Sequence, residues 1–463
     1  MEHERFASRL GFLLIAAGCA IGVGNVWKFP YVAGQSGGGF FFLFYLLMLL
    51  VFGLPILAME FSVGRAAQRG PVEAFRALEP AGSRWHLHGV AGALACAVLM
   101  AFYTVVTGWM GHYFLASVRG DYMGLDAAAI GNLFSEYLQT PAPMGFWLVL
   151  VVCAGCFVCS RGVQKGLERT TKAMMVSLLA MMAALAVHGL TMEGAAAGLE
   201  FYLVPDLGRL RATGLARTAV SAMNQAFFTL SLGVGAMAIF GSYVGKEHSL
   251  VKESAIVISL DTLVAFTSGL IIFPACFTYG VDQAAGPGLI FITLPNIFAN
   301  MPGGRFWGGL FFLFMSFAAF STVLAVFELL IRSAMDLSGW GRKKASAVCC
   351  AVLIAISVPC LLGFGTIHGA FLDLFGGTVL DFEDFLVSNL ALPLGSLVYL
   401  LFCVSRRGWG WENFVREVSA GAGAALPAWA APLGRFVRPY CTWVLPFLLL
   451  AVFAIGIWDK FFA

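Results

Sequence analysis

Apolar runs of membrane-spanning length recur eleven times along the chain, at roughly 8–34, 38–66, 87–117, 144–160, 168–190, 217–244, 252–280, 305–335, 346–365, 376–403 and 438–459. A helix needs about 20 such residues to cross the hydrocarbon of a bilayer, so the pattern predicts eleven transmembrane helices. The longer runs predict tilt, kinks or extension past the bilayer. Polar connections are short except around 118–143, 191–216, 281–304 and 404–437. Two runs are poor recipes for continuous helix. The first carries Gly18-Cys-Ala-Ile-Gly-Val-Gly-Asn-Val-Trp-Lys-Phe-Pro30, and the sixth carries Phe228-Thr-Leu-Ser-Leu-Gly-Val-Gly235. Glycine and proline disfavour helix interiors, and bare backbone at membrane depth is tolerated only where protein buries it or a cavity is lined by it. Spans one and six occupy corresponding positions if spans 1–5 and 6–10 form two repeats. Paired interruptions of that kind point to a transporter site near the midplane. Glycines that merely let helices pack closely would account for one such span better than for a matched pair.

Composition supports the membrane reading. Of 463 residues, 60% are hydrophobic and 11% charged, against about 25% charged in an average soluble domain. Soluble enzymes, nucleic-acid binders and disordered proteins are excluded. The net charge of +3 says little about partners, but its placement does. With the N-terminus in the cytoplasm, 21 of the 28 Lys and Arg residues fall inside, as the positive-inside bias requires. An odd number of spans then leaves the C-terminus outside. The eleven cysteines lie mostly within apolar runs and read as polarizable packing residues. Cys153, Cys156 and Cys159 recur at one-turn spacing without a nearby His or carboxylate, which also reads as packing. No cleavable signal pattern precedes the first span.

The chemistry-bearing motifs are long. Arg9-Leu-Gly, Gly22-Val-Gly-Asn-Val-Trp-Lys-Phe-Pro30, Gly37-Gly-Gly39, Pro55, Glu60-Phe-Ser-Val-Gly-Arg65, Phe227-Phe-Thr-Leu-Ser-Leu-Gly-Val-Gly235, Ile292-Thr-Leu-Pro295 and Ala318-Ala-Phe-Ser-Thr322 span most of the sequence. With them the chain resembles the neurotransmitter:sodium symporter family, in its eleven-span bacterial branch. The resemblance implies an all-α polytopic protein with the leucine-transporter-like fold, a 5+5 inverted repeat unwound in helices 1 and 6. It implies a single transporter domain over 1–463, with repeats at 8–190 and 217–403 and a last span at 438–459. It places the chain in the bacterial inner membrane, with no enzymatic activity, and with membrane lipid and a small-molecule amino-acid substrate as partners.

The resemblance also assigns residues. One sodium site would use the Ala20 carbonyl, Asn25, Thr229 and Asp261, the last usually an amide in well-known relatives. A second would use carbonyls of Gly18, Ile21 and Ala318 with hydroxyls of Ser321 and Thr322. An intramembrane Asp is costly and functional by default. Chloride-independent relatives carry a protein carboxylate near the place where others bind the anion. Ala265, one turn on, offers neither acid nor hydroxyl, so Asp261 is expected to supply the charge and chloride to be unnecessary. The substrate carboxylate would meet the amides of Gly22, Val23 and Gly24 and the Tyr103 hydroxyl, with Ala20 and Thr229 at the same centre. Amine-selective relatives place an Asp where this chain has Gly22, so an α-amino acid is expected. Leu99, Phe228, Ser231, Val234, Thr322, Ala325 and Val326 form a largely apolar wall suited to a neutral hydrophobic or aromatic side chain. Val234 replaces a phenylalanine of a well-studied relative, leaving more room.

Lys28 and Asp384 match the outer charged gate, with Tyr103 and Phe228 as an aromatic lid. Asp336 matches the acidic partner of an inner gate, but Arg5 is offset by two positions and Phe6 replaces the usual Trp. Gly166 is followed ten residues on by Val176 where a relative has a proline. Glu60 is expected to brace the broken first helix. Two co-transported sodium ions with a zwitterion move two charges, worth roughly 4–5 kcal/mol at 100 mV. Two alternatives stay open: a proton-coupled permease of the same fold, and a substrate-gated sensor or channel. An acyltransferase-like His368-x₄-Asp373 spacing is short and common, and carries little weight.

Overall fold

A computed structural model describes residues 9–281, 288–367, 369–421 and 436–462. Among the described residues all regular structure is helical. The long elements are α1 (Arg9–Ala20), α2 (Gly24–Gln35), α3 (Gly39–Ala67), α4 (His86–Arg119), α5 (Pro141–Ser160), α6 (Val163–Leu190), α7 (Leu215–Thr229), α8 (Ala236–Gly241), α9 (Leu250–Tyr279), α10 (Leu289–Asn300), α11 (Gly304–Ser338), α12 (Arg342–Leu362), α13 (Val379–Val404) and α14 (Phe436–Trp458).

Nine of these are each long and apolar enough to cross a bilayer, and α1 with α2 makes a tenth span bent by 52°. The sixth predicted span is split into α7 and α8, of 15 and 6 residues, separated by 230–235. All eleven predicted runs therefore contain helix, and both predicted interruptions are breaks.

Proline shapes the helices in a regular way. Of the six widened, π-type turns among the described residues, five, at Gly24–Lys28, Leu49–Gly53, Leu289–Thr293, Phe385–Ala391 and Tyr440–Val444, end two residues before Pro30, Pro55, Pro295, Pro393 and Pro446; the sixth, Val163–Glu168, contains Gly166 and has no proline after it in its helix. A proline cannot donate its i→i−4 bond, and its ring crowds the carbonyl four residues back. Widening the preceding turn relieves that clash while the helix continues.

The molecule is graded from a buried centre to a lipid-facing rim. In α11, 72% of the most apolar window is buried, against 17% in α14. The central pair is α4 and α11, which run along each other, and α1 packs between α11 and α9. Close approach depends on small residues. A Cβ on Gly64 of α3 would sit 1.8 Å from the Ala238 carbonyl oxygen of α8. That contact locks the short second half of the broken span against a continuous helix.

Candidate functional site

The first break follows from its composition. Helix α1 ends at Ala20, and the Gly22 amide donates to Asn25 Oδ1 at 3.1 Å instead of continuing the helical ladder. The Val23 amide donates to the Tyr103 hydroxyl of α4 at 3.0 Å. Gly22 tolerates no side chain: a Cβ there would lie 2.4 Å from the Tyr103 hydroxyl and 2.5 Å from Thr322 Oγ1. At Gly24 the same atom would press on the Phe228 ring at 2.9 Å.

In the second break, Ser231 adopts φ 50°, and Gly233 and Gly235 adopt φ 93° and 84°, left-handed conformations that strongly favour glycine. The Gly233 amide donates to Glu60 Oε1, and Glu60 is fully buried. Glu60 therefore braces the sixth span, a correction to the expectation that it braces the first. The physical reason is local. The first break's amides find acceptors in Asn25 and Tyr103, whereas the amide ahead of α8 needs an acceptor from outside, and a helix N-terminus favours a carboxylate.

Between the breaks lies Asp261 of α9, with no solvent exposure. Asn25 Nδ2 donates to its Oδ1 at 2.7 Å and to its backbone carbonyl at 3.1 Å. The Thr229 hydroxyl donates to Oδ1 at 3.0 Å, and the Tyr45 hydroxyl to Oδ2 at 3.0 Å. Asn25, Thr229 and Asp261 are thus brought together, each from a different element. Tyr45 was not singled out from sequence; its hydroxyl is the one polar group in the aromatic run 40–47. Ser268 was also missed. It lies seven residues after Asp261 on the same helix face, and donates to the Asn25 carbonyl at 2.7 Å. Gln225 Nε2 reaches the Gly24 carbonyl at 2.8 Å.

A second oxygen cluster lies where α1 meets α11. Ser321 Oγ donates to the Ala318 and Ile21 carbonyls at 2.9 and 3.3 Å. Thr322 Oγ1 lies 3.3 Å from the Gly18 carbonyl and 3.4 Å from that of Ile21. All five residues of the expected second ion site are assembled, every donor atom an oxygen.

A small central cavity of about 20 Å³ is lined by Ala20, Gly22, Gly24, Leu99, Tyr103, Phe228, Thr229, Ser231 and Thr322, joined by Cys19, Val387 and Leu392. The last three were not foreseen. Outside it opens a vestibule of about 220 Å³ that also contains Val23, Lys28 and Asp384. Tyr103 and Phe228 line both spaces and separate them. Lys28 Nζ lies 3.2 Å from Asp384 Oδ2 and 3.9 Å from the centre of the Phe228 ring. Val234 instead borders another cavity, with His88 and Gly92. Ala325 and Val326 are buried in α11 and do not border the central space.

At the opposite end Asp336 accepts from the Gly70 amide at 2.9 Å and pairs with Arg332 at 3.2 Å. Arg5, Phe6 and His368 lie outside the described residues. Arg9 pairs with the buried Glu253 at 2.9 Å, an ion pair joining α1 to α9 that the motif reading did not anticipate.

A sequence model of the "Sodium:neurotransmitter symporter family" matches residues 3–124 and 130–457. The chain is 36% identical over 398 residues to the uncharacterized sodium-dependent transporter YhdH of Bacillus subtilis, covering 86% of this chain and 87% of that protein. It is 27% identical over 405 residues to the sodium- and chloride-dependent taurine transporter of Rattus norvegicus, covering 76% and 64%. The crystal structure of MhsT in complex with L-phenylalanine is similar at a TM-score of 0.86 and 34% identity, over 97% of this chain and 99% of that one.

Proposed function

The chain belongs to the sodium:neurotransmitter symporter family and is a sodium-dependent membrane symporter; from that premise we propose that it takes up a neutral, hydrophobic or aromatic L-amino acid with two sodium ions and without chloride. The observation that carries this reading is the buried Asp261 carboxylate held between the two breaks by Asn25, Thr229 and Tyr45. A fixed negative charge at that place does what a bound anion would otherwise do: it offsets the charge of an adjacent sodium in a low-dielectric interior.

The first sodium is assigned to Ala20, Asn25, Thr229 and Asp261, and the second to Gly18, Ile21, Ala318, Ser321 and Thr322. Hard cations prefer oxygen donors, and both sets are made of carbonyl, hydroxyl, amide and carboxylate oxygens. The substrate carboxylate takes over the amide donors of the first break. The absence of space for a side chain at Gly22 keeps a protein carboxylate out of that position and leaves the role to the ligand. The apolar share of the lining, Leu99, Phe228, Val387 and Leu392, together with the phenylalanine bound by MhsT, supports an apolar side chain. The repeats 8–190 and 217–403 then rock about this centre, with Lys28, Asp384, Tyr103 and Phe228 closing its outer side. Asp336 serves the inner gate in this scheme, together with Arg5. Net movement of two charges supplies roughly 4–5 kcal/mol at 100 mV, about a thousandfold accumulation.

Uptake of labelled Leu, Met, Phe, Tyr and Trp into proteoliposomes tests the proposal, with an inward sodium gradient or with potassium substituted, and with chloride or gluconate. Accumulation that needs sodium and ignores chloride is expected. Uptake driven by a pH gradient in potassium would favour proton coupling, and loss of uptake in gluconate would overturn the role given to Asp261.

A further inference from the structure

Away from the breaks, α5 and α12 pack side by side and carry an unusual density of thiols. Cys153 and Cys156 lie one turn apart on α5, and Cys349 and Cys350 are consecutive on α12. The sulfurs of Cys153 and Cys350 are 3.8 Å apart, and Cys156 stands one turn from Cys153 on the same helix. All four are free thiols. Cys159, one turn further, is different: it is buried and directs its thiol to the Leu324 carbonyl, the packing role expected from sequence. Among the described residues no group of three His, Cys, Asp or Glu side chains is arranged to hold a metal ion, so the cluster's available chemistry is thiol with thiol.

We propose that Cys153 and Cys350 form an oxidisable dithiol that staples α5 to α12, with Cys156 as an alternative partner for Cys350. Cys153 is exposed on the outer surface of α5, within a helix apolar enough to cross the bilayer. The oxidant that reaches it is therefore lipid-soluble, and the class that fits is a lipid hydroperoxide. Two S–H bonds and the O–O bond break, and one S–S bond forms. The two thiols lose two electrons and two protons, and the hydroperoxide is reduced to an alcohol and water. Hydrocarbon around the pair keeps hydrophilic reductants such as glutathione away, so the bond persists once made, unlike a cytosol-facing one. It would close a loop between residues 197 apart in sequence, which limits the freedom of the unfolded chain.

The test uses the full-length protein in proteoliposomes treated with cumene hydroperoxide, then denatured, labelled with a maleimide and mapped by mass spectrometry of peptides. The expected result is a loss of two labelled thiols and a linked peptide joining 141–160 to 342–362, both reversed by dithiothreitol. Cys350→Ser abolishes the link, whereas Cys153→Ser transfers it to Cys156. Methionine sulfoxide at Met181, half-buried in the next span α6, reports that the oxidant arrived. Methionine oxidation without a link between α5 and α12, or a link that survives in Cys350→Ser, overturns the proposal.

Discussion

The sharpest consequence of the reading concerns one oxygen-to-nitrogen exchange, Asp261→Asn. The substitution keeps shape and volume, so the buried packing around α9 is retained. What changes is the pattern of donors and acceptors. The carboxylate accepts three side-chain bonds, from Asn25, Thr229 and Tyr45. Bonds to a charged group are worth about 1 kcal/mol more than neutral ones, so neutralising the acceptor removes about 3 kcal/mol from the arrangement that shapes the first sodium site. One amide edge is now a donor and must also turn away from Thr229 or Tyr45. At about 1.4 kcal/mol per tenfold, sodium affinity at this site should fall by about a hundredfold. If the lost charge is what made an external anion unnecessary, chloride should restore part of the activity. The assay is initial uptake rate against sodium concentration, in chloride and in gluconate, for both proteins. A variant with the wild-type sodium midpoint, or one whose loss chloride leaves untouched, would refute the assignment of charge compensation to Asp261.

Three further outcomes follow. Gly22→Ala places a methyl 2.4 Å from the Tyr103 hydroxyl and 2.5 Å from Thr322 Oγ1, and should abolish substrate binding in a scintillation proximity assay while the thermal midpoint falls only slightly, because the clash lies in a cavity wall. Ser321→Ala combined with Thr322→Val removes both hydroxyls of the second cluster and should lower the Hill coefficient for sodium from near two toward one. Lys28→Met breaks an ion pair whose side chains are 30% and 32% exposed, worth about 0.2–1 kcal/mol. It should shift apparent KM by about fivefold at most without changing the melting temperature, and a large loss of stability would show that the pair holds the fold rather than a gate.

The span count and the two breaks were legible because lipid imposes a one-dimensional rule: a stretch of chain either satisfies its backbone internally or needs neighbours that do so. Glycine, asparagine and proline within an apolar run therefore announce a break before any contact is known. Five of the six widened turns are equally available in principle, since each stands just before a proline, but composition alone says only that the helix is disturbed there and not whether it breaks or widens; the sixth, at Val163–Glu168, has no such signal. Side-chain partners are a different problem. Tyr45 reaches Asp261 across 216 residues and Glu60 reaches Gly233 across 173, and no local pattern encodes such pairings. Local pattern therefore points neither to Tyr45 nor to the break that Glu60 braces. The difference between the breaks is chemical. The two breaks look alike as sequence, yet Asn25 lies within the first and accepts from the Gly22 amide, whereas the acceptor for the Gly233 amide comes from α3. The first break is also held from outside, by Tyr103 of α4 at the Val23 amide and by Asp261 of α9 at Asn25. A break tied to a fully buried carboxyl group on another helix cannot move without either carrying that helix along or leaving buried polar groups without their partner. The two breaks are therefore anchored to different partners: α7 with α8 should move with α3, and the first break with α4 and α9.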